Sequence, residues 1–207
     1  MSKKLLFSIG LAFFIVFVFF SYLVHKNLFT GFDFDTTVRL QDNISRRFDE
    51  SFSVFSEIGS FEPILVFLIL ILIVRRKIWG IMAFGFFGLL HVIELFGKFS
   101  VDHLPPPQFM LRTKHLVDFP QFHVRSDFSY PSGHSARAAF LTILLAVIII
   151  RSKKLSHTQK LIIISILALY DILMFISRIY LGEHWASDVI GGGLLGIGLG
   201  ILGVLAL

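Results

Sequence analysis

Long runs without a charged side chain limit this chain more than any other feature. From Leu5 to Val24 there is no Asp, Glu, Lys or Arg, and comparable runs recur along the sequence. About 18 or more such residues in a row read as a helix that crosses a bilayer, because lipid leaves backbone polar groups no partner but the helix itself. With 55% hydrophobic residues, 25 Phe and only 16% charged residues, the chain is too apolar for a soluble domain of 207 residues. Six spans are expected: about Leu5–Val24, Ser60–Val74, Ile78–Gly97, Ser132–Ile150, Leu161–Ile176, and Asp188 or Val189 to Leu207. The second is short. The expected fold is all-α, a six-transmembrane-helix bundle forming one integral membrane domain over residues 1–207. The first run follows Met1-Ser-Lys-Lys as a signal peptide would, but Ser21-Tyr22-Leu23-Val24 offers no small-x-small cleavage site, so a retained helix is expected.

Charge gives orientation. Lys3, Lys4, Arg75, Arg76, Lys77, Arg151, Lys153, Lys154 and Lys160 fall on one set of connections, which hold no Asp or Glu. By the positive-inside rule these are cytoplasmic, with the N-terminus inside. Lys98, His134, Arg178, His184 and Asp188 then lie at the outer, periplasmic or extracellular face. The net charge of +5 is explained by this pattern rather than by nucleic-acid binding. There is no Cys, which excludes disulfides and Cys-held metals.

Two outer segments stand apart. Across about 32–50, Phe32, Phe34, Val38, Ile44 and Phe48 alternate with Asp and Arg at partly helical spacing. This suits an amphipathic helix on the outer membrane surface, or else a plain loop. The connection of about 98–130 carries Pro105-Pro106-Pro107 and Pro120. A loop that long is uncommon without a task, and a lid is the expected one. In the last span, Gly192, Gly196 and Gly200 form a small-xxx-small stripe, suited to packing inside the bundle or to dimerisation. The oligomeric state stays open.

The polar residues at the outer helix ends carry the chemistry. If the last helix starts near Glu183, His184 and Asp188 are four apart on one face, and the carboxylate fixes one ring nitrogen and leaves the other as nucleophile or base. An interfacial His beside an unrelated Asp fits these two residues equally well. Arg178 ends the fifth span. It either snorkels to headgroups or turns back toward His184 across Gly182 to grip phosphate oxygens. Pro131-Ser132-Gly133-His134 opens the fourth span with a cap and a helix N-terminus suited to an anion. Capping accounts for Pro131 and Ser132 but not for His134 in the first turn. Of the remaining polar residues, His91 and Glu94 lie one turn apart and pair within the bundle or support Lys98, and Asp171 is read as structural.

SRIYLGEHWASD (177–188) and YPSGH (130–134), in this order, resemble the third and second signatures of the type 2 phosphatidic acid phosphatase family of membrane lipid phosphatases. The six-span layout is similar as well. The first signature, Lys-x6-Arg-Pro, is half kept: Lys98 is present, but Pro105 stands where the Arg belongs. Arg137, Arg112 and His103 are the cations nearest to that gap, and Arg137 or Arg112 is the preferred substitute. The resemblance implies the following roles. His184 attacks phosphorus and forms a phosphohistidine. Asp188 orients His184, and His134 protonates the departing oxygen. Lys98, Ser132, Gly133 and Arg178 hold the phosphate oxygens. No metal or cofactor is implied. The partners are the bilayer and a lipid phosphate: phosphatidic acid, phosphatidylglycerol phosphate, a polyprenyl diphosphate or a phosphorylated glycolipid. A prokaryotic plasma membrane is the expected setting. A lipid phosphotransferase, or a non-catalytic relative that binds lipid phosphates, are the alternatives. A channel or transporter is disfavoured because the polar residues gather at one face.

Overall fold

The computed structural model describes residues 2–75, 81–114 and 127–205. Among them the chain forms eight α-helices: α1 Lys3–His25, α2 Thr30–Asn43, α3 Asp49–Glu57, α4 Phe61–Arg75, α5 Ile81–Ser100, α6 Gly133–Arg151, α7 His157–Tyr180 and α8 Ala186–Val204. Five of these, α1, α5, α6, α7 and α8, are long and apolar enough to cross a membrane alone. The second expected span, Ser60–Val74, is not a straight helix of spanning length. At 15 residues α4 is too short, and it reaches spanning length only as a bent pair with the preceding segment, broken by 44°. Tertiary contacts meet at the break: Gly59 packs against Met174 and His134, and its carbonyl accepts from Arg137 Nε at 3.0 Å.

The helix ends follow capping rules. Ser156 and Gln159 form a reciprocal capping box that starts α7 four residues before the expected Leu161. The chain expected to lie on the membrane surface is helical, α2 and α3 joined by a 3₁₀ turn at Arg46–Phe48. Phe32 and Phe34 are exposed, whereas Asp33 and Thr37 are buried against the bundle.

α8 is the axis. It is the most buried of the spans and packs on α6, α1 and α5. Its glycines make this close approach possible. A Cβ on Gly192 would strike the Ser132 carbonyl, one on Gly196 would lie 2.9 Å from Ala139 Cβ, and one on Gly200 would lie 3.0 Å from Ile143 Cβ. The stripe therefore faces α6, inside the bundle. Gly198 faces α1, where a Cβ would lie 3.2 Å from Phe14 N. The apolar core gathers Phe87, Leu90, Phe140, Leu144, Leu195 and Leu199, while α1 and α7 expose Phe7, Ile15, Phe19, Ile162, Ile166 and Leu169 outward, as helices in lipid do.

Candidate active site

The starts of α6 and α8 are tied together. Ser132 is the N-cap of α6 with extended backbone, but its hydroxyl makes no capping bond and accepts from Ser135 Oγ at 3.1 Å. Its backbone N–H donates to the Asp188 carbonyl at 3.0 Å. The amides of Gly133 and His134, in the first turn, have no intrahelical acceptor.

The α7–α8 turn delivers the histidine. Gly182 adopts φ +70, and a side chain there would collide with the Met110 carbonyl. The Glu183 and His184 amides both donate to the Arg178 carbonyl at 3.2 Å, folding the turn back onto the last turn of α7. His184 thereby comes beside Arg178. The expected helical relation of His184 to Asp188 is corrected: α8 starts at Ala186, so His184 precedes the helix. Asp188 instead caps it, accepting from the Trp185 N–H at 3.0 Å with Oδ2. The same oxygen lies 3.4 Å from His184 Nδ1. The pairing is present, but a helix N-cap makes it.

These ends enclose a cavity of about 480 Å³ lined by Lys98, His134, Arg137, Arg178, His184, Gly133, Glu94, Glu183 and His91, with Phe61, Gly88 and Leu95 on its apolar side. Glu94 is the hub of its cations: Arg137 Nη1 lies 3.1 Å from Oε2, Lys98 Nζ 3.5 Å from Oε1, and His91 Nδ1 3.3 Å from Oε2. Arg178 pairs with Glu183, whose other oxygen accepts from Thr113 Oγ1 at 2.5 Å. His134 Nε2 lies 3.3 Å from Ser60 Oγ, and its Nδ1 lies 3.5 Å from Arg137 Nη2. His184 is held below the ordinary histidine range by burial, against the pull of Asp188, with Arg178 and Lys98 adding to the depression. It is therefore neutral near pH 7.

Of the residues expected at the site, Lys98, Gly133, His134, Arg178 and His184 share this cavity, with Asp188 behind His184. Ser132 is fully buried beside it and does not line it. Of the two substitute cations, Arg137 lines the cavity. Arg112 donates instead to the Gln41 carbonyl at 3.0 Å and lies over the Tyr180 ring. Pro105 lines a separate hollow with Asp33, His103 and Trp185.

The expected lid lies partly outside the described residues, at 115–126. Its first part is strapped down. Gln41 Nε2 donates to the Met110 and Tyr180 carbonyls at 2.7 and 2.9 Å, Arg112 N–H donates to Leu181 O at 2.8 Å, and Lys114 N–H donates to Ser53 Oγ at 3.0 Å. Sequence reasoning missed Glu183 and Asp33, and it read His103 only as a spare cation. Their partners are distant along the chain, so no local spacing pointed to them.

Membrane helices that bring two histidines, an aspartate and three cations to one end of a bundle define a multi-pass membrane protein with a pocket lined by basic side chains. Comparison narrows the class. Residues 78–207 match the family model of the PAP2 superfamily, and the chain belongs to that family. Phosphatidylglycerophosphatase B of Bacillus subtilis is 30% identical over 123 residues, covering 59% of this chain and 55% of that protein. An undecaprenyl-diphosphatase of Sulfolobus acidocaldarius is 32% identical over 137 residues, covering 66% and 59%. The match thus spans little more than half the length of these curated relatives. Among solved structures, a transmembrane PAP2-type phosphatidylglycerolphosphate phosphatase from Bacillus subtilis superposes with a TM-score of 0.76 at 24% identity, covering 94% of this chain and 93% of that one. LpxE of Aquifex aeolicus gives a TM-score of 0.62 at 27% identity, covering 83% and 94%.

Proposed function

We propose that this protein hydrolyses a phosphate monoester or diphosphate on a membrane lipid through a phosphohistidine and without a metal. The observation that carries the reading is His184, with Nδ1 on Asp188, in one cavity with His134, Lys98, Arg137 and Arg178. With Nδ1 committed, Nε2 is the nitrogen that attacks phosphorus. The P–O bond to the lipid breaks as the P–N bond forms, and His134 supplies the proton to the leaving oxygen. In the second half His134 takes a proton from water as that water breaks the P–N bond and releases inorganic phosphate. Lys98, Arg137, Arg178 and the first amides of α6 carry the charge on the phosphoryl oxygens. Arg137 stands in for the arginine that Pro105 replaces. Among the described residues no group of three or more His, Asp or Glu side chains is arranged to hold a metal ion.

The lipid class rests on the relatives, which are named for phosphatidylglycerophosphate and undecaprenyl diphosphate. The apolar wall of Phe61, Gly88 and Leu95 suits a substrate with a tail. The orientation rests on charge. α8 begins at the site and ends beside Lys3 and Lys4, and α6 begins at the site and ends at Arg151. The basic end is therefore cytoplasmic, and the site faces outward.

The test is phosphate release by the purified protein in detergent with EDTA, against phosphatidic acid, phosphatidylglycerol phosphate and a polyprenyl diphosphate. Release that disappears in His184→Ala, with an acid-labile phosphoryl group trapped on wild type and absent from the variant, is expected. Substrate binding without release from any of them would replace this reading with that of a lipid-phosphate-binding protein.

A further inference from the structure

Asp188 is held from two sides. His184 Nδ1 lies 3.4 Å from Oδ2, while His103 Nδ1 lies 2.8 Å from Oδ1. The other nitrogen of His103 reaches Asp33 Oδ2 at 3.5 Å. Asp33 is itself fixed, since it accepts from the Ser187 N–H and hydroxyl, both at 2.7 Å. A buried chain therefore runs Asp33–His103–Asp188–His184, joining α2, the loop after α5 and the start of α8. The loop is pinned as well. The Ser129 N–H and hydroxyl donate to the His103 carbonyl at 2.9 and 3.2 Å, and Trp185 Nε1 donates to the Leu104 carbonyl at 2.8 Å.

An imidazole with a carboxylate on each nitrogen donates to both only as the imidazolium. Burial opposes that charge, but the hydrogen bonds to Asp188 and Asp33 outweigh it and raise the His103 pKa to about 9. The titratable groups facing the ring are Asp33 from α2 and Asp188 from α8, with His184 beyond Asp188. Tyr130 lies on the α1 side with its hydroxyl on Ser21, and His25 at the end of α1 pairs with the adjacent Asp102.

We propose that His103 is a positioning residue of this site: a buried clamp that fixes the rotamer of Asp188 and shares its charge, so that Asp188 orients His184 without drawing a proton onto it. The proposal rests on the reading of His184 as the nucleophile. A buried carboxylate paired with His184 alone would raise the proton affinity of that ring and leave it charged and unreactive near neutrality. A second imidazolium on the same carboxylate weakens that pull while keeping Oδ2 aimed at Nδ1.

The test uses full-length wild type, His103→Gln and Asp33→Asn in detergent, with kcat and KM measured from about pH 5 to 10 and the His184 ring titrated by ¹⁵N NMR. His103→Gln is expected to move the acid limb of kcat and the His184 midpoint up by about one pH unit, a tenfold rise in proton affinity. It should also abolish the alkaline limb near pH 9, with KM within about twofold of wild type. Asp33→Asn should move the alkaline limb to lower pH, and it keeps the test open should His103→Gln fail to fold. A uniform loss of kcat with both limbs in place would mark a merely structural residue and overturn the proposal. If wild type releases no phosphate the nucleophile reading fails, and the NMR titration still decides the clamp: an unchanged His184 midpoint in the variants overturns it and a rise supports it.

Discussion

Gly196→Ala should inactivate the protein from a position well away from the cavity. A Cβ on Gly196 would strike the carbonyl oxygen of Ala136 and lie 2.9 Å from both the Ala136 carbonyl carbon and Ala139 Cβ. Carbon pairs settle at about 3.5–4.0 Å, so α6 and α8 must part by about 1 Å. Two of the obstructing atoms are backbone and the third is a Cβ, so none can swing aside. Overpacking of this kind costs about 1–3 kcal/mol, and replacing a helical glycine by alanine returns up to about 1 kcal/mol. The net destabilisation is about 0–3 kcal/mol, less than the about 5–15 kcal/mol by which folded domains are stable, so the protein stays folded. The catalytic cost is larger. One turn before Ala136 is Ser132, whose amide is bonded to the Asp188 carbonyl at 3.0 Å. The wedge therefore moves His134 relative to Asp188 and His184, and a displacement of about 1 Å is worth about 100-fold in rate. Phosphate release in detergent and thermal denaturation, run side by side, read the two effects separately. Gly85→Ala is the control, since a Cβ there meets no atom within 4 Å. A Gly196→Ala protein with wild-type kcat, or an equal loss in Gly85→Ala, would refute the idea that α6–α8 contact sets the site.

Arg137→Ala should lower kcat or raise KM about as Arg178→Ala does, whereas Arg112→Ala should leave both near wild type, because its guanidinium braces the Gln41 carbonyl and the Tyr180 ring. Arg137→Ala removes one of three partners of Glu94, with Lys98 and His91 still on it, so its thermal cost should stay below the about 3–5 kcal/mol of a fully orphaned buried charge, and adding Glu94→Gln should not recover activity. A Cys at Lys114 should react with an impermeant thiol reagent in intact cells and one at Lys153 should not; the reverse pattern would invert the topology. The imidazolium of His103 stabilises the fold fully below the unfolded pKa of about 6.5, and this is lost as pH rises through about 9. The melting temperature should therefore fall between those values in wild type and stay level in His103→Gln, while His184, depressed by burial, weakens the fold only below about 6.5.

The spans were legible because lipid demands unbroken apolar runs, and the polar residues at their ends were legible because membrane helices seldom keep them. The bend between α3 and α4 was not, since the contacts that meet there, of Gly59 with Met174 and Arg137, are tertiary. The spacing of four between His184 and Asp188 suggests one helix face, but Trp185 caps α8 and His184 stands outside it, so their contact comes from the helix start and not from helical periodicity. The contact between His103 and Asp188 spans 85 residues, and no periodicity reports a contact at that range. Arg137 and Arg112 were indistinguishable by sequence distance; the helical path of α6 turns Arg137 into the cavity, and the strap of the loop onto Gln41 and Leu181 holds Arg112 out of it.

Under the proposed function, Pro105 at the place where the resemblance expects an arginine bears on how the pocket stays ordered between substrates. A buried guanidinium with no counter-charge is costly, so cations collected for a phosphate need placeholders when no phosphate is bound. Among the described residues Glu94 serves Lys98 and Arg137, and Glu183 serves Arg178. A cation at position 105 would sit on the loop, on the wall of the neighbouring hollow. A cation at Arg137 lies on α6, with Glu94 already paired and the Gly59 carbonyl accepting from Nε. Moving the charge from a loop to a helix therefore trades adaptability for a fixed position. Under the proposed function, an incoming phosphate competes with carboxylates for cations that are already aimed, so the arginine costs little reorganisation when it engages the substrate.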